Sequence, residues 1–117
     1  EEVVEAVKRA LASIDEDHAE FVRREGNSCH LPGGLASALH GALHAEKHFG
    51  GADGVFAKAI SSTIRATGCN ASRSCVIGTL LGARFGTAIV PPAWVEKTRA
   101  IPKAKEAIEA LTAGGKE

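Results

Sequence analysis

Methionine is missing altogether, even at position 1. A natural reading frame opens on Met, so these 117 residues are expected to be a fragment or a processed piece. Aromatic residues are scarce: Phe21, Phe49, Phe56, Phe85 and Trp94 are the whole set, so a core has to be built mainly from aliphatic and small side chains. No apolar run reaches the ~18 residues that a membrane span needs. The N-terminus opens on acidic residues rather than a basic stretch followed by an apolar one, so no secretory signal is visible. The three cysteines, Cys29, Cys69 and Cys75, are odd in number, irregular in spacing and without a CxxC pair. That excludes a secreted disulfide framework and the usual structural zinc signature. The expectation is reduced, structural, buried thiols in a cytoplasmic protein.

Carboxylates are missing from a long stretch. Fourteen acids balance fourteen bases, but residues 1–25 hold eight of the acids, and none lies between Asp53 and Glu96. That interval cannot carry a carboxylate dyad or an Asp/Glu metal cluster. From Arg65 to Lys105 there are seven bases and one acid. No aromatic residues interleave with these bases as single-stranded nucleic acid would require, so no nucleic-acid partner is expected.

What is present reads as helix nearly throughout. Val3, Val4, Val7, Leu11 and Ile14 step by three and four, the spacing of an amphipathic helix face. Asp15 or Asp17 can cap a second helix through Phe21 and Val22, with Gly26 as its C-cap. Asn27 to Gly34 reads as a loop because Pro32-Gly33-Gly34 punctuates strongly. A third helix is expected from about Leu35 to Glu46, and a fourth through Phe56, Ile60 and Ile64 with Asp53 as N-cap. Gly68 to Ser72 reads as a polar loop and Arg73 to about Phe85 as the fifth helix. Pro91-Pro92 and Pro102 open a sixth and a seventh, the latter carried by Ala104, Ile108 and Leu111. Residues 113–117 are expected to fray. No alternating strand pattern occurs, and the class is all-α, a compact orthogonal helical bundle. Gly78, Gly82 and Gly86 form a small-residue stripe, expected to mark a close helix neighbour.

Three constellations could carry chemistry. His40, His44 and His48 share one helix face, but HExxH spacing is absent and no carboxylate or thiol completes a metal set. A polar helix edge, or a histidine lining a cleft, is the expected use. Cys29 adjoins His30, and Cys69 opens a loop before a helix, where a thiol pKa falls. Gly68, Asn70, Ser72 and Arg73 stand at that helix start, where free amides favour an anion; Arg65 lies just before it.

Ala66-Thr67-Gly68-Cys69-Asn70-Ala71-Ser72-Arg73, followed by Ile77 to Gly86 and Ile89 to Trp94, resembles the end of an ADP-ribosylglycohydrolase domain. Ser28 to Gly34 and Ala38-Leu39-His40 are similar to the J-crystallin-like branch of that family. The resemblance spans roughly residues 14–112 and would make residues 1–117 the C-terminal portion of a single, longer domain. It implies an all-α fold, hydrolysis of ADP-ribose N- or O-glycosidic linkages, ADP-ribose or an ADP-ribosylated substrate as partner, and two Mg²⁺ ions. Family members hold these ions partly with a Gly-Asp-Thr-Asp-Thr loop. Aligned on Gly78, Cys69 and Ala71 replace the two Asp, and Ser72 alone retains an oxygen ligand. A soft thiol and a methyl do not suit a hard cation, so this chain alone is expected not to bind Mg²⁺. Gly68, Asn70, Ser72, Arg73 and His30 then remain as candidate contacts for phosphate or ADP-ribose. The expected function is an ADP-ribosylglycohydrolase-like protein with a divergent metal loop. The alternative is a non-enzymatic, crystallin-like structural or ADP-ribose-binding protein.

Overall fold

The computed structural model describes residues 1–51 and 53–114. It is all-α: α1 (Glu2–Ala12), α2 (His18–Glu25), α3 (Gly33–Phe49), α4 (Val55–Arg65), α5 (Asn70–Phe85), a 3₁₀ turn (Thr87–Ile89), α6 (Pro92–Lys97) and α7 (Ile101–Ala113). No strand occurs among the described residues. The central element is α3, against which α1, α2, α4 and α5 all pack.

The capping logic holds at α2. The Asp17 carboxylate accepts from the amides of Ala19 at 3.0 Å and Glu20 at 3.2 Å, and Gly26 ends the helix at φ +104°. It does not hold at α4, where Gly54 rather than Asp53 is the N-cap and no side chain caps the helix.

The expected boundaries of α3 shift at both ends. Helix α3 starts at Gly33, not Leu35, and runs on to Phe49. A Cβ on Gly33 would lie 2.7 Å from the Glu25 carbonyl, and one on Gly34 would lie 2.9 Å from that of Cys29. These glycines therefore let a helix start pass close to neighbouring backbone instead of breaking it. The α5 stripe is a packing device only at Gly78, whose Cβ would touch the Phe56 ring at 3.3 Å. Gly82 faces open space, and Gly86 is a C-cap at φ +81°. The tightest helix contact falls instead at Gly41 of α3, where a Cβ would lie 2.5 Å from Ile77 and 2.8 Å from His18.

Two apolar clusters hold the elements together. Ala6 and Ala10 of α1 pack with Phe21 and Ala36, and Leu39 lies beside them. Ala45, Ala59, Ile60, Ile77 and Leu81 form the second cluster, flanked by Phe49, Phe56, Phe85 and Ile89. Fully burying Phe21 contributes about 2–3 kcal/mol. The buried face of α1 is thus its alanine side, which lets the helix approach α3 closely. Val3, Val4 and Leu11 of the expected apolar face are exposed. In α4, Ile64 likewise points outward, while Val55, Ala59, Ile60 and Thr63 are buried. Helix α7 forms where Pro102 predicted it and stays helical through Ala113, one residue into the tail expected to fray, but it buries no residue. Residues 115–117 of that tail lie outside the described residues.

Five of the eight acids of residues 1–25, Glu5, Asp15, Glu16, Glu20 and Glu25, are ion-paired. Arg9 reaches Glu25 at 3.0 Å, Arg24 reaches Glu16 at 2.6 Å, and Lys47 reaches Asp15 at 2.6 Å. The Lys47 hydrogen bond holds the Asp15 carboxyl below its ordinary range, with burial opposing and the charges of Lys47 and His48 adding to the lowering.

Candidate functional site

Helix α5 begins earlier than its polar lead-in suggests, at Asn70, so Ala71 and Ser72 lie on its first turn and Cys69 is its N-cap. The chain reaches this point through two consecutive left-handed residues, Thr67 at φ +62° and Gly68 at φ +65°. A Cβ on Gly68 would collide with the backbone carbonyl of Asn27, so glycine is required there. The Cys69 amide donates to that same carbonyl at 2.7 Å. The loop Asn27 to His30 is thereby fastened against the start of α5.

Arg73 departs most from expectation. Its position in a basic, carboxylate-free interval reads as an exposed anion contact, yet it is only 2% exposed. Its Nε donates to Thr63 Oγ1 at 3.1 Å, one terminal nitrogen donates to the Thr63 carbonyl at 3.2 Å and also to the Thr67 carbonyl, and the other donates to the Asn27 carbonyl at 3.3 Å. No carboxylate faces it. Neutral acceptors converging on one guanidinium satisfy it, and burial lowers its pKa. Arg73 therefore serves the fold: it clips α4, the Thr67 turn and the Asn27 loop together.

A buried polar chain continues from it. His40 Nε2 lies 2.9 Å from the Ser13 carbonyl, His40 Nδ1 lies 3.0 Å from His18 Nδ1, and His18 Nε2 lies 3.2 Å from Thr63 Oγ1. A carbonyl only accepts, so His40 Nε2 carries the proton. A neutral His40 then accepts at Nδ1 from His18 Nδ1–H, which leaves His18 Nε2 to accept from the Thr63 hydroxyl. The Thr63 oxygen in turn accepts from Arg73. One orientation satisfies every member. Burial, then the repulsion a second proton would meet from His40 if that ring were charged, from Arg73 and from His44, opposed by Asp17, push the His18 pKa down to about 3. Burial also lowers His40, against its bond to Ser13. Both rings are neutral at pH 7.

The histidine row is structural. His44 Nδ1 donates to the Ile14 carbonyl at 2.9 Å, and His48 lies 3.1 Å from Asp15. With His40 they fasten the α1–α2 turn to α3. Among the described residues, no three His, Cys, Asp or Glu side chains are placed to share a metal ion.

The cavity at the α5 start measures about 200 Å³ and is lined by Ser28, Cys29, Leu31, Cys69, Ser72 and Val76 among others. The cysteines are not buried as expected: Cys29 and Cys75 are exposed and Cys69 is half-buried. The Ser72 hydroxyl, 3.2 Å from the Cys69 sulfur, lowers that thiol's pKa most. The Cys29 thiol, the Ser72 amide and the Arg73 charge act in the same direction, with burial opposing. Of the expected contacts, Ser72 and Arg73 reach this cavity; Gly68, Asn70 and His30 do not line it. Asn70 turns back onto the Gly68 carbonyl, and His30 is exposed. Arg65 lines a separate surface groove with Phe49, Lys58 and Ser61.

The donors at the α5 start do not fit Mg²⁺. Ala71 offers a methyl, Cys69 a soft sulfur, and the one oxygen ligand, Ser72, is hydrogen-bonded to that sulfur.

His18 and Thr63 were missed in the sequence although their spacing marks them. His18 stands at i to Phe21 and Val22, and Thr63 at i+4 and i+3 from Ala59 and Ile60, so each shares a helix face with core residues.

Comparison with known proteins gives the class of this all-α chain. The ADP-ribosylglycohydrolase family model matches residues 1–116, and the chain belongs to that family. Among individual proteins it is similar to Crystallin J1A of Tripedalia cystophora, at 30% identity over 91 residues, 78% of this chain and 26% of that protein. It is also similar to Crystallin J1B of the same organism, at 28% over 91 residues, 78% of this chain and 24% of that protein. The chain therefore spans about a quarter of these relatives' length. No solved structure matches it.

Proposed function

We propose that this chain is part of a non-hydrolytic, crystallin-like member of the ADP-ribosylglycohydrolase family and that its α5 turn serves structure rather than Mg²⁺-assisted cleavage. One observation carries the reading: Arg73, the cation best placed to meet a ligand at that turn, is buried and donates to Thr63, Thr67 and Asn27. The loop chemistry is consistent with it, since Cys69 and Ala71 provide no hard ligand. The similarity to two proteins named crystallins points the same way.

A second reading, metal-free binding of ADP-ribose, draws on the amide of Ala71, which donates to no backbone carbonyl of the preceding turn, beside the Ser28 hydroxyl. Against it, the cavity is smaller than the ~300–1,000 Å³ of an ordinary ligand pocket and largely apolar on its Leu31, Leu35 and Val76 side.

Isothermal titration with ADP-ribose, and an assay of ADP-ribose release from ADP-ribosyl-arginine with Mg²⁺, separate these. No heat at millimolar ligand and no release is the expected result. Heat that persists in a metal chelator replaces the structural reading with the binding one. Mg²⁺-dependent release overturns both.

A further inference from the structure

Two thiols from segments 40 residues apart face the same cavity. The main chain brings them there: the Asn27 carbonyl, two residues before Cys29, accepts from the Cys69 amide at 2.7 Å and from Arg73 at 3.3 Å. The absence of a side chain on Gly68 lets that carbonyl approach. Neither cysteine is needed for this clamp except through the Cys69 backbone. Cys29 and Cys69 both line this one cavity of about 200 Å³. Cys29 is exposed and Cys69 half-buried, so a small solute can reach the pair. Cys75, the third cysteine, is exposed but does not line the cavity.

We propose that Cys29 and Cys69 form a thiol–disulfide exchange site whose substrate is a low-molecular-weight disulfide of the glutathione disulfide type. One protein thiolate attacks a sulfur of the small disulfide. The S–S bond breaks, a mixed disulfide forms on the protein, and one small thiolate leaves and takes up a proton. The second protein thiol, giving up its proton, attacks the protein sulfur of the mixed disulfide and expels the second small thiol. Two electrons pass from the protein to the small disulfide, so each Cys29–Cys69 bond formed releases two small thiols, with no other reactant. The exchange is independent of the structural reading above and of ADP-ribose binding, since it needs only the two sulfurs and the Asn27 clamp.

The test is incubation of the full chain with excess glutathione disulfide in native buffer, alkylation of remaining thiols, and peptide mass mapping. The expected product has lost two hydrogens, carries a Cys29–Cys69 bond and leaves Cys75 alkylated; dithiothreitol reverses it. Cys29→Ser should stop at a glutathionyl group on Cys69, and Cys69→Ser at one on Cys29. In urea the preference should move to Cys69–Cys75, because that loop is far shorter and closes with less entropy loss. A native-buffer product joined Cys69–Cys75, a stable glutathionyl adduct on Cys29 or Cys69 of the unsubstituted chain, or modification of Cys75 alone would each overturn the proposal.

Discussion

Mild acid should destabilise this chain before its carboxylates begin to protonate. His18 has an ordinary pKa of 6.5 when unfolded and one of about 3 in the fold, held down by burial and by the cationic side of the Arg73–Thr63–His18–His40 chain. Between those values the unfolded state carries a proton at His18 that the folded state lacks. Stability is therefore fully present above the unfolded value and falls as pH drops, at ~1.4 kcal/mol per pH unit for one such group. Going from pH 6.5 to 5 removes about 2 kcal/mol, and His40, also lowered, adds to the loss with the same sign. With a urea m-value of ~1–3 kcal/mol per molar, the midpoint should fall by roughly 1 M. The assay is urea unfolding followed by far-UV circular dichroism at the two pH values, run alongside His18→Gln. The amide can donate to His40 Nδ1 and accept from Thr63 without titrating, so the variant should lose the His18 part of the slope and keep only that of His40. A midpoint that does not move in the unsubstituted chain, or an undiminished slope in the variant, refutes the proton assignment.

Other substitutions test the same packing. Arg73→Lys keeps the charge but loses the planar fork, leaving at least one of its four buried carbonyl and hydroxyl acceptors without its donor; a loss of about 1–3 kcal/mol is expected in urea unfolding. Gly41→Ala drives a methyl onto Ile77 and His18 and should cost about 1–3 kcal/mol by overpacking, read as a lowered thermal midpoint. Ala71→Asp places a carboxylate on the exposed first turn of α5, which has no acid, and should stabilise by ~0.3–1 kcal/mol through the helix dipole. That gain should shrink in high salt. Leu111→Lys on the exposed side of α7 should stay within ~0.5 kcal/mol of the unsubstituted chain.

The helices themselves were readable in the sequence because apolar spacing, Asp17, Gly26, the prolines and the acid-rich start all act locally. The family was readable from the run Thr67 to Gly86. What could not be read was which face each helix buries. In α1 the spacing of Val3, Val4 and Leu11 marks an apolar face truly, but only Ala6 and Ala10 are small enough to bring the helix onto α3. In α5, Arg73 looked like a surface cation because its acceptors are carbonyls of Asn27, Thr63 and Thr67, and backbone carbonyls leave no trace in composition. The thiols were misplaced for a related reason: the tie between Asn27 and Cys69 is made through main chain.

The one-directional hydrogen-bond chain has a consequence for how this core can vary. Each member's proton is fixed by its neighbour, starting from a carbonyl at Ser13 that only accepts and ending at a guanidinium that only donates. A replacement acceptable at His18, His40 or Thr63 must therefore reproduce both a donor and an acceptor, or be accompanied by a second change. Effects at these three positions should be strongly non-additive in double-mutant cycles. The four helices and the Ser13 turn that the chain touches are accordingly held at one rotation about their axes, since a slip in any of them would leave a buried proton without an acceptor.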